Sequence, residues 1–384
     1  MYFLNQPLRL QSFDLYNIND WLTGAYIAIA AIQLLYFWLL FSRFALAKPV
    51  IPAGDPVPVS VVLSAKNEYP SLKRNLPLIL EQDYSDYEVV VVNDASDDET
   101  IFLLEDLSRQ HKNLKVVTIT QDLNFFKGKK FPLAIGIKSA TYDNLVLTDA
   151  DCTPAGRGWL RAMAAGFSGG KDVVLGYGKY FEEKGFLNRI IRYETAFTAL
   201  QYFSMAMWGM PYMGVGRNLA YRKRLFMESK GFISHYNVSS GDDDLFINKV
   251  ATGKNTFVQF TPESFTRSAP KRTFRNWWLQ KRRHLTTGRY YKLKHKVILG
   301  SYSLSYLLFL LLFVVLLVFR ISLLPVLILF IVRVLSQLAI LYLTYKKLQE
   351  KKLLLISPLI ELLLALVYPV LVFSNLVYKE SKWK

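Results

Sequence analysis

The chain is poor in cysteine and, over one long stretch, in acid. Cys152 is the single cysteine among 384 residues, which excludes an internal disulfide and fits a reducing compartment. No Asp or Glu occurs between Ser264 and Gln349. No G-x-G-x-x-G follows the first predicted strand, and G-x-x-x-x-G-K-[ST] is absent. These absences argue against the usual dinucleotide fold and against a P-loop. Long apolar runs lack charge as well. Thr23 to Phe41 carries none over 19 residues and Val297 to Phe319 none over 23. Ile321 to Tyr345 holds only Arg333, and Leu353 to Tyr378 only Glu361. Each run can cross a hydrocarbon core of about 30 Å, so the sequence reads as an integral membrane protein with about four spans.

What is present is mostly positive charge. The formal net charge is +17, and 11 Lys or Arg residues lie between Arg267 and Lys296, just before the second apolar run. With Trp277 and Trp278 among them, this segment suits a membrane interface and anionic lipid head groups. Nucleic acid is not an expected partner, because the segment abuts a bilayer and lacks a recognised module. The first apolar run resembles a signal peptide at Ala45-Leu46-Ala47, but Asp14 and Asp20 accompany Arg9 before it and the run is long, so a retained anchor is expected. Arg43 and Lys48 place the following chain in the cytoplasm, and the plasma (inner) membrane is the expected location. The expected organisation is an N-terminal segment 1–20, a span 21–47, a Pro-rich linker 48–58, a soluble domain 59–265, a basic interface segment 266–296, spans 297–319 and 321–345, and a transmembrane or re-entrant helix 353–378.

Within the soluble part, short apolar runs alternate with helical patterns. Strands are predicted at Val59–Ala65, Tyr87–Asp94, Leu114–Thr120 and Leu145–Thr148, with helices over 71–81, from about Ser96 to Arg109, and over 131–140. Ser96-Asp97-Asp98-Glu99 has the capping-box spacing. The alternation predicts an α/β fold with a doubly wound, mostly parallel, Rossmann-like sheet. Three strands end on polar groups: Lys66-Asn67-Glu68, Asp94, and Asp149 with Asp151. Open α/β sheets bind ligands at such ends, and two carboxylates on a tight turn can hold one hard divalent cation with diphosphate oxygens. Further on, a strand is expected over Asp172–Gly178 and an amphipathic helix over Phe186–Trp208. A glycine turn, Gly214 to Arg222, should run into another strand, and Asp242, Asp243 and Asp244 precede a helix start.

These motifs, in this order, resemble family 2 glycosyltransferases of the membrane-integrated branch, which includes poly-N-acetylglucosamine, hyaluronan and cellulose synthases and ceramide glucosyltransferase. The resemblance rests on VVVVNDASDDET, LVLTDADCTP, SGDDDLFI and QKRRH, and covers about Val59 to His284 with the flanking spans. It implies a glycosyltransferase A type fold and a UDP-sugar donor. Lys66, Asn67 and Glu68 match the nucleotide loop, and Asp94 resembles the aspartate that contacts uridine. Lys129 resembles the lysine of G-K-x-x-A-L-N. Asp149 and Asp151 would face the diphosphate and its Mg2+ or Mn2+. Asp242 aligns with the catalytic base, its pKa open to upward tuning by Asp243 and Asp244. Gln280 and Arg283 match Q-x-x-R. His284 replaces the usual tryptophan and, with Asp243, falls on the acceptor side. Gly241 replaces an acid in E-D-x-D-L. The implied reaction is inverting transfer to a glycan or lipid hydroxyl, as a processive polysaccharide synthase or as single-sugar transfer to a lipid. A non-catalytic nucleotide-sugar-binding membrane protein is the rival of another class.

Overall fold

A computed structural model describes residues 18–50, 54–120, 128–238 and 240–377. The stretch 1–17, Pro52 of the linker and the basic tail Lys379–Lys384 lie outside the described residues. Helices α1 (Ile18–Leu35) and α2 (Ser42–Ala45) are joined through a π-helical stretch, Tyr36–Phe41. The alternating part follows: β1 (Val59–Ala65), α3 (Tyr69–Leu80), β2 (Tyr87–Asp94), α4 (Thr100–Gln110), β3 (Leu114–Ile119), α5 (Lys130–Ser139) and β4 (Asn144–Leu147). Next come β5 (Cys152–Pro154), α6 (Trp159–Ser168), β6 (Val173–Leu175), β7 (Gly178–Tyr180), α7 (Phe186–Met207), β8 (Leu219–Arg222), α8 (Lys223–Glu228), α9 (Asp244–Val250), β9 (Thr256–Val258) and β10 (Thr266–Ser268). The remainder is helical: α10 (Phe274–Leu285), α11 (Leu293–Val318), α12 (Leu323–Leu348) and α13 (Ser357–Val377).

Seven strands form one sheet in the order β3-β2-β1-β4-β8-β6-β9. All its pairings are parallel except those of β8, which runs antiparallel to both β4 and β6. The near-continuous apolar strands follow from burial on both faces. Successive side chains alternate: Val89 and Val91 pack with α3 and α6 residues, and Val90 packs with α5 and α7 residues.

Two local expectations are corrected. The 172–178 stretch is two strands in different sheets, broken at Gly176. A Cβ there would lie 2.6 Å from the Asn218 amide, which accepts from Trp159 Nε1 and donates to the Tyr177 and Ser264 carbonyls. The Ser96–Glu99 box does not cap α4. Ser96 Oγ accepts from the Asn67 N–H at 3.0 Å, Asn67 Oδ1 accepts from the Asp97 N–H at 2.9 Å, and Asp98 accepts from the Thr100 and Tyr69 N–H groups. These residues brace the loops after β1 and β2 against each other, so the box stays in the loop and α4 begins only at Thr100.

The α1–α2 segment belongs to the core. Phe37, Phe41 and Phe44 are buried with sheet and α7 residues, and the Phe41 and Phe197 rings lie 5.7 Å apart. α7 thus packs between the sheet and the membrane stem. Four helices, Ile18–Ala45, α11, α12 and Leu354–Asn375, are long and apolar enough to cross a membrane. Arg333 and Glu361, the charges that stand alone in the third and fourth apolar runs, pair with each other. Arg333 Nη1 and Nη2 donate to the two Glu361 oxygens at 2.7 and 2.8 Å, Tyr302 OH donates at 2.6 Å, and Gln33 and Gln337 accept from the guanidinium. This satisfies a polar group that would be costly alone in lipid.

α13 differs from a simple span. Just before it, Glu350 is buried against Arg192 of α7 at 2.7 Å. Near its far end, Arg282 of α10 donates to Asn375 at 3.0 Å and the Asn375 amide donates to the Arg282 carbonyl at 2.8 Å. Midway, Tyr368 OH donates to Glu194 of α7. The chain before α13 is thus held by α7, its first turn by Tyr345 of α12 at 2.8 Å and its far end by α10, so α13 packs along α7 and α10 as well as along the apolar helices. Leu359, Leu362, Leu366, Val370 and Phe373 form one exposed apolar stripe at helical spacing, suited to lipid. Pro358 stands in the first turn, and the helix continues through Pro369. A tag at the C-terminus is therefore expected to react with an impermeant reagent from the same side as the catalytic domain. Protection from that side, with labelling from the other, would show that α13 crosses.

Candidate functional site

The carboxyl ends of β1, β2 and β4, the turn before β8, the start of α9 and helix α10 surround one crevice of about 1220 Å³. Every residue expected at the site lines it: Lys66, Asn67, Glu68 and Asp94 at one end, Lys129, Asp149 and Asp151 between, and Asp242, Asp243, Gln280, Arg283 and His284 at the other. The parallel strands bring the first groups together, and the antiparallel β8 beside β4 brings the turn at Gly216 and Arg217 against the Asp149–Asp151 pair.

Lys129 stands at the centre. Its ammonium is 2.8 Å from Asp149 Oδ1 and 3.0 Å from Asp242 Oδ2. The second contact is an ion pair without hydrogen-bond geometry. Burial alone would lower the lysine pKa, but Asp149, Asp242 and Asp243 outweigh it and hold it well above the usual range. Asp149 feels the same burial, and Lys129, Arg217 and Arg283 bring its pKa below the ordinary carboxylate value. Burial, then the charge on Asp149, raises that of Asp151.

One ligand atom from each of Asp149, Asp151 and Cys152 lies within 4.8 Å of the others. The two carboxylates face the crevice and offer hard oxygens suited to Mg2+ or Mn2+. Cys152 is buried, its thiol is pushed well above its usual pKa by burial and by both aspartates, and it points its S–H to Asp151 Oδ1 at 3.6 Å. A hard divalent cation here would therefore find its donors in the aspartate pair.

The acidic triplet divides its work. Asp243 Oδ2 accepts from the Gly216 N–H at 2.7 Å, and its Oδ1 accepts from the Asp244 N–H at 2.8 Å. Asp244 Oδ2 accepts from Thr287 Oγ1 and from Tyr291 OH at 2.7 Å. Asp243, expected on the acceptor side, is thus occupied by backbone amides. Within the triplet, burial, Asp242 and Asp244 push the Asp243 pKa up to about 7, and burial raises that of Asp244. Gly241 has a physical reason to replace an acid. Its φ of +99° disfavours side chains, and a Cβ would meet Leu245 Cδ1 at 2.6 Å.

His284 is exposed to the crevice. Desolvation within the crevice, then the charges of Lys281, Arg283, Arg217 and Lys129, lowers its imidazole pKa well below the usual range. Sequence reasoning missed Arg217, Lys271 and Glu194. Arg217 donates to Ser268 Oγ at 2.9 Å and lies over the Tyr180 ring at 4.2 Å. Its turn was legible, but its address beside β4 was not.

Residues 60–230 match the model of Glycosyl transferase family 2. Over these residues the chain is similar to family 2 glycosyltransferase domains. It is 27% identical over 246 residues to "Probable glycosyltransferase YdaM" of Bacillus subtilis (strain 168), a match covering 62% of this chain and 56% of that protein. It is 32% identical over 93 residues to a poly-beta-1,6-N-acetyl-D-glucosamine synthase of Staphylococcus epidermidis, covering 24% of this chain and 21% of the other. The match thus spans little more than half of the first relative and about a fifth of the second. Among solved structures, a mannosyltransferase from Pyrobaculum calidifontis, in complex with GDP-Man and Mn2+, superposes with a TM-score of 0.55 at 22% identity, over 88% of this chain and 98% of that one. That likeness shows the shared glycosyltransferase fold, extending past the family 2 domain.

Proposed function

We propose that the chain is a membrane-integrated, inverting glycosyltransferase that moves a sugar from a UDP-sugar to a hydroxyl of a glycan or lipid acceptor. The observation that carries this reading is the Asp149–Lys129–Asp242 line at the centre of a crevice lined by both carboxylates and cations. Lys66, Asp94 and the braced loops fit the nucleoside end. Arg217, Lys271 and Arg283 supply positive charge where a diphosphate would lie, with guanidinium groups suited to phosphate. Asp149 and Asp151 would hold a divalent cation, which as a Lewis acid neutralises charge on the departing diphosphate.

Asp242 takes the proton from the acceptor hydroxyl. The acceptor oxygen then bonds to the anomeric carbon as the carbon–oxygen bond to the diphosphate breaks, and the nucleoside diphosphate leaves with the electron pair. One displacement inverts the anomeric centre. The basic flanks Arg43, Lys48 and Lys346 to Lys352 favour a cytoplasmic catalytic domain.

Membranes bearing the chain are expected to transfer label from one member of a panel of radiolabelled UDP-sugars, and product size separates a polymer from a single transfer. No turnover with any nucleotide sugar, with Mg2+ or Mn2+ present, overturns the reading. A second expectation concerns the metal. Asp149→Ala and Asp151→Ala should each weaken Mn2+-dependent UDP binding, measured by calorimetry, by at least the roughly 10- to 100-fold that loss of a supporting residue costs a metal site. Unchanged affinity in both variants removes the metal from these carboxylates.

A further inference from the structure

Glu194 is a buried carboxylate that the proposed chemistry does not use. It stands on α7 at the membrane end of the crevice, 5% exposed. Its Oε2 accepts from Trp277 Nε1 at 3.2 Å and pairs with Lys281 Nζ at 2.8 Å, and its Oε1 accepts from Tyr368 OH of α13. Three donors from two helices meet on one carboxylate. Trp277 and Lys281 are four residues apart and share one face of α10. Arg282 lies about 100° further round, and it is held by Asn375, also on α13. Two clamps at different angles fix the roll of α10. Gln280 and Arg283, which flank Lys281 and Arg282 in sequence, reach the crevice.

We propose that Glu194 is a positioning residue: with Tyr368, it makes the last apolar helix an arm that holds α10 so that Gln280 and Arg283 face the Asp149–Asp151 pair. This rests on the donor reading given above. A roll of α10 by one residue, about 100°, would carry Arg283 away from the diphosphate end. Helix α10 has no other acidic partner to hold Lys281 among the described ion pairs. A lost clamp therefore acts on donor affinity before it acts on the fold.

The test compares Glu194→Ala with Glu194→Gln in the full chain in detergent. Glu194→Ala should speed hydrogen–deuterium exchange across 274–285 while leaving β1, β2 and β4 protected. It should weaken UDP binding in the presence of Mn2+ by about 10- to 100-fold, the scale of losing a hydrogen bond to a charged group. Glu194→Gln keeps an acceptor for Trp277 and should recover most of both. If Glu194→Ala does not fold, Tyr368→Phe removes one donor and should give the same pattern in smaller measure. Unchanged exchange in 274–285 overturns the proposal. Faster exchange with unchanged UDP affinity also overturns it, because α10 would then move without consequence for the donor. Failure of the donor reading is seen separately, as absence of UDP binding by the wild-type chain, whereas the exchange arm reads the clamp alone.

Discussion

Asp242→Asn is expected to abolish sugar transfer while leaving UDP affinity nearly intact. Asn has the shape of Asp, so the packing of this 8%-exposed side chain survives, but the amide cannot accept the proton of an acceptor hydroxyl. A positioned general base contributes typically about 10²- to 10⁴-fold in rate, and the loss should be of that size. The neighbours cannot substitute without cost. Asp243 gives both oxygens to backbone amides, and Asp244 is tied to Thr287 and Tyr291. The Lys129–Asp149 contact remains in the variant, so the donor end keeps its charge balance. Initial rates with labelled donor, set beside calorimetric UDP binding, decide the matter. Retention of more than a tenth of the wild-type rate means that Asp242 is not the base.

The second large effect is on assembly. Arg333→Glu and Glu361→Arg should each sharply lower the yield of folded protein, and the double exchange should recover much of it. Breaking a buried ion pair by changing one partner costs about 3–5 kcal/mol, because a charge is left uncompensated. Here each single exchange also sets two like charges together among Gln33, Gln337 and Tyr302. The double exchange restores opposite charges. The two amides can turn over and the tyrosine hydroxyl can accept as well as donate, so the surrounding groups can follow. The rings of Phe37 and Tyr306, 5.1 and 4.3 Å from the guanidinium carbon, favour arginine at 333, which is why recovery is partial. The measurement is the monodisperse fraction after extraction in detergent. A double variant no better than the worse single one would show that the pairing contributes nothing.

These two predictions draw on different depths of information. Asp242 was legible as one carboxylate of three before an apolar helix start, and the resemblance chose among them. Its sisters' hydrogen bonds, which leave it as the one turned to Lys129, come from residues distant in sequence: Gly216, Thr287 and Tyr291. Arg333 and Glu361 were legible as charges in apolar runs, and lipid leaves few alternatives to pairing them.

The local sequence alone determined the alternation of β1 to β4 with their helices, the polar strand ends, and the four apolar runs. These follow from periodicity and from the cost of leaving apolar or polar groups in the wrong solvent, and both act over a few residues. Three features were decided by tertiary structure. β8 inserts antiparallel beside β4 and delivers Arg217 to the carboxylates. The 172–178 run divides between two sheets at Gly176, where Asn218 leaves no room for a side chain. The helix after Glu350 turns along the catalytic domain, held by Glu194 and Arg282. Each depends on contacts between residues tens to hundreds of positions apart. Composition constrains which groups need partners, while the path of the chain chooses which partners they find.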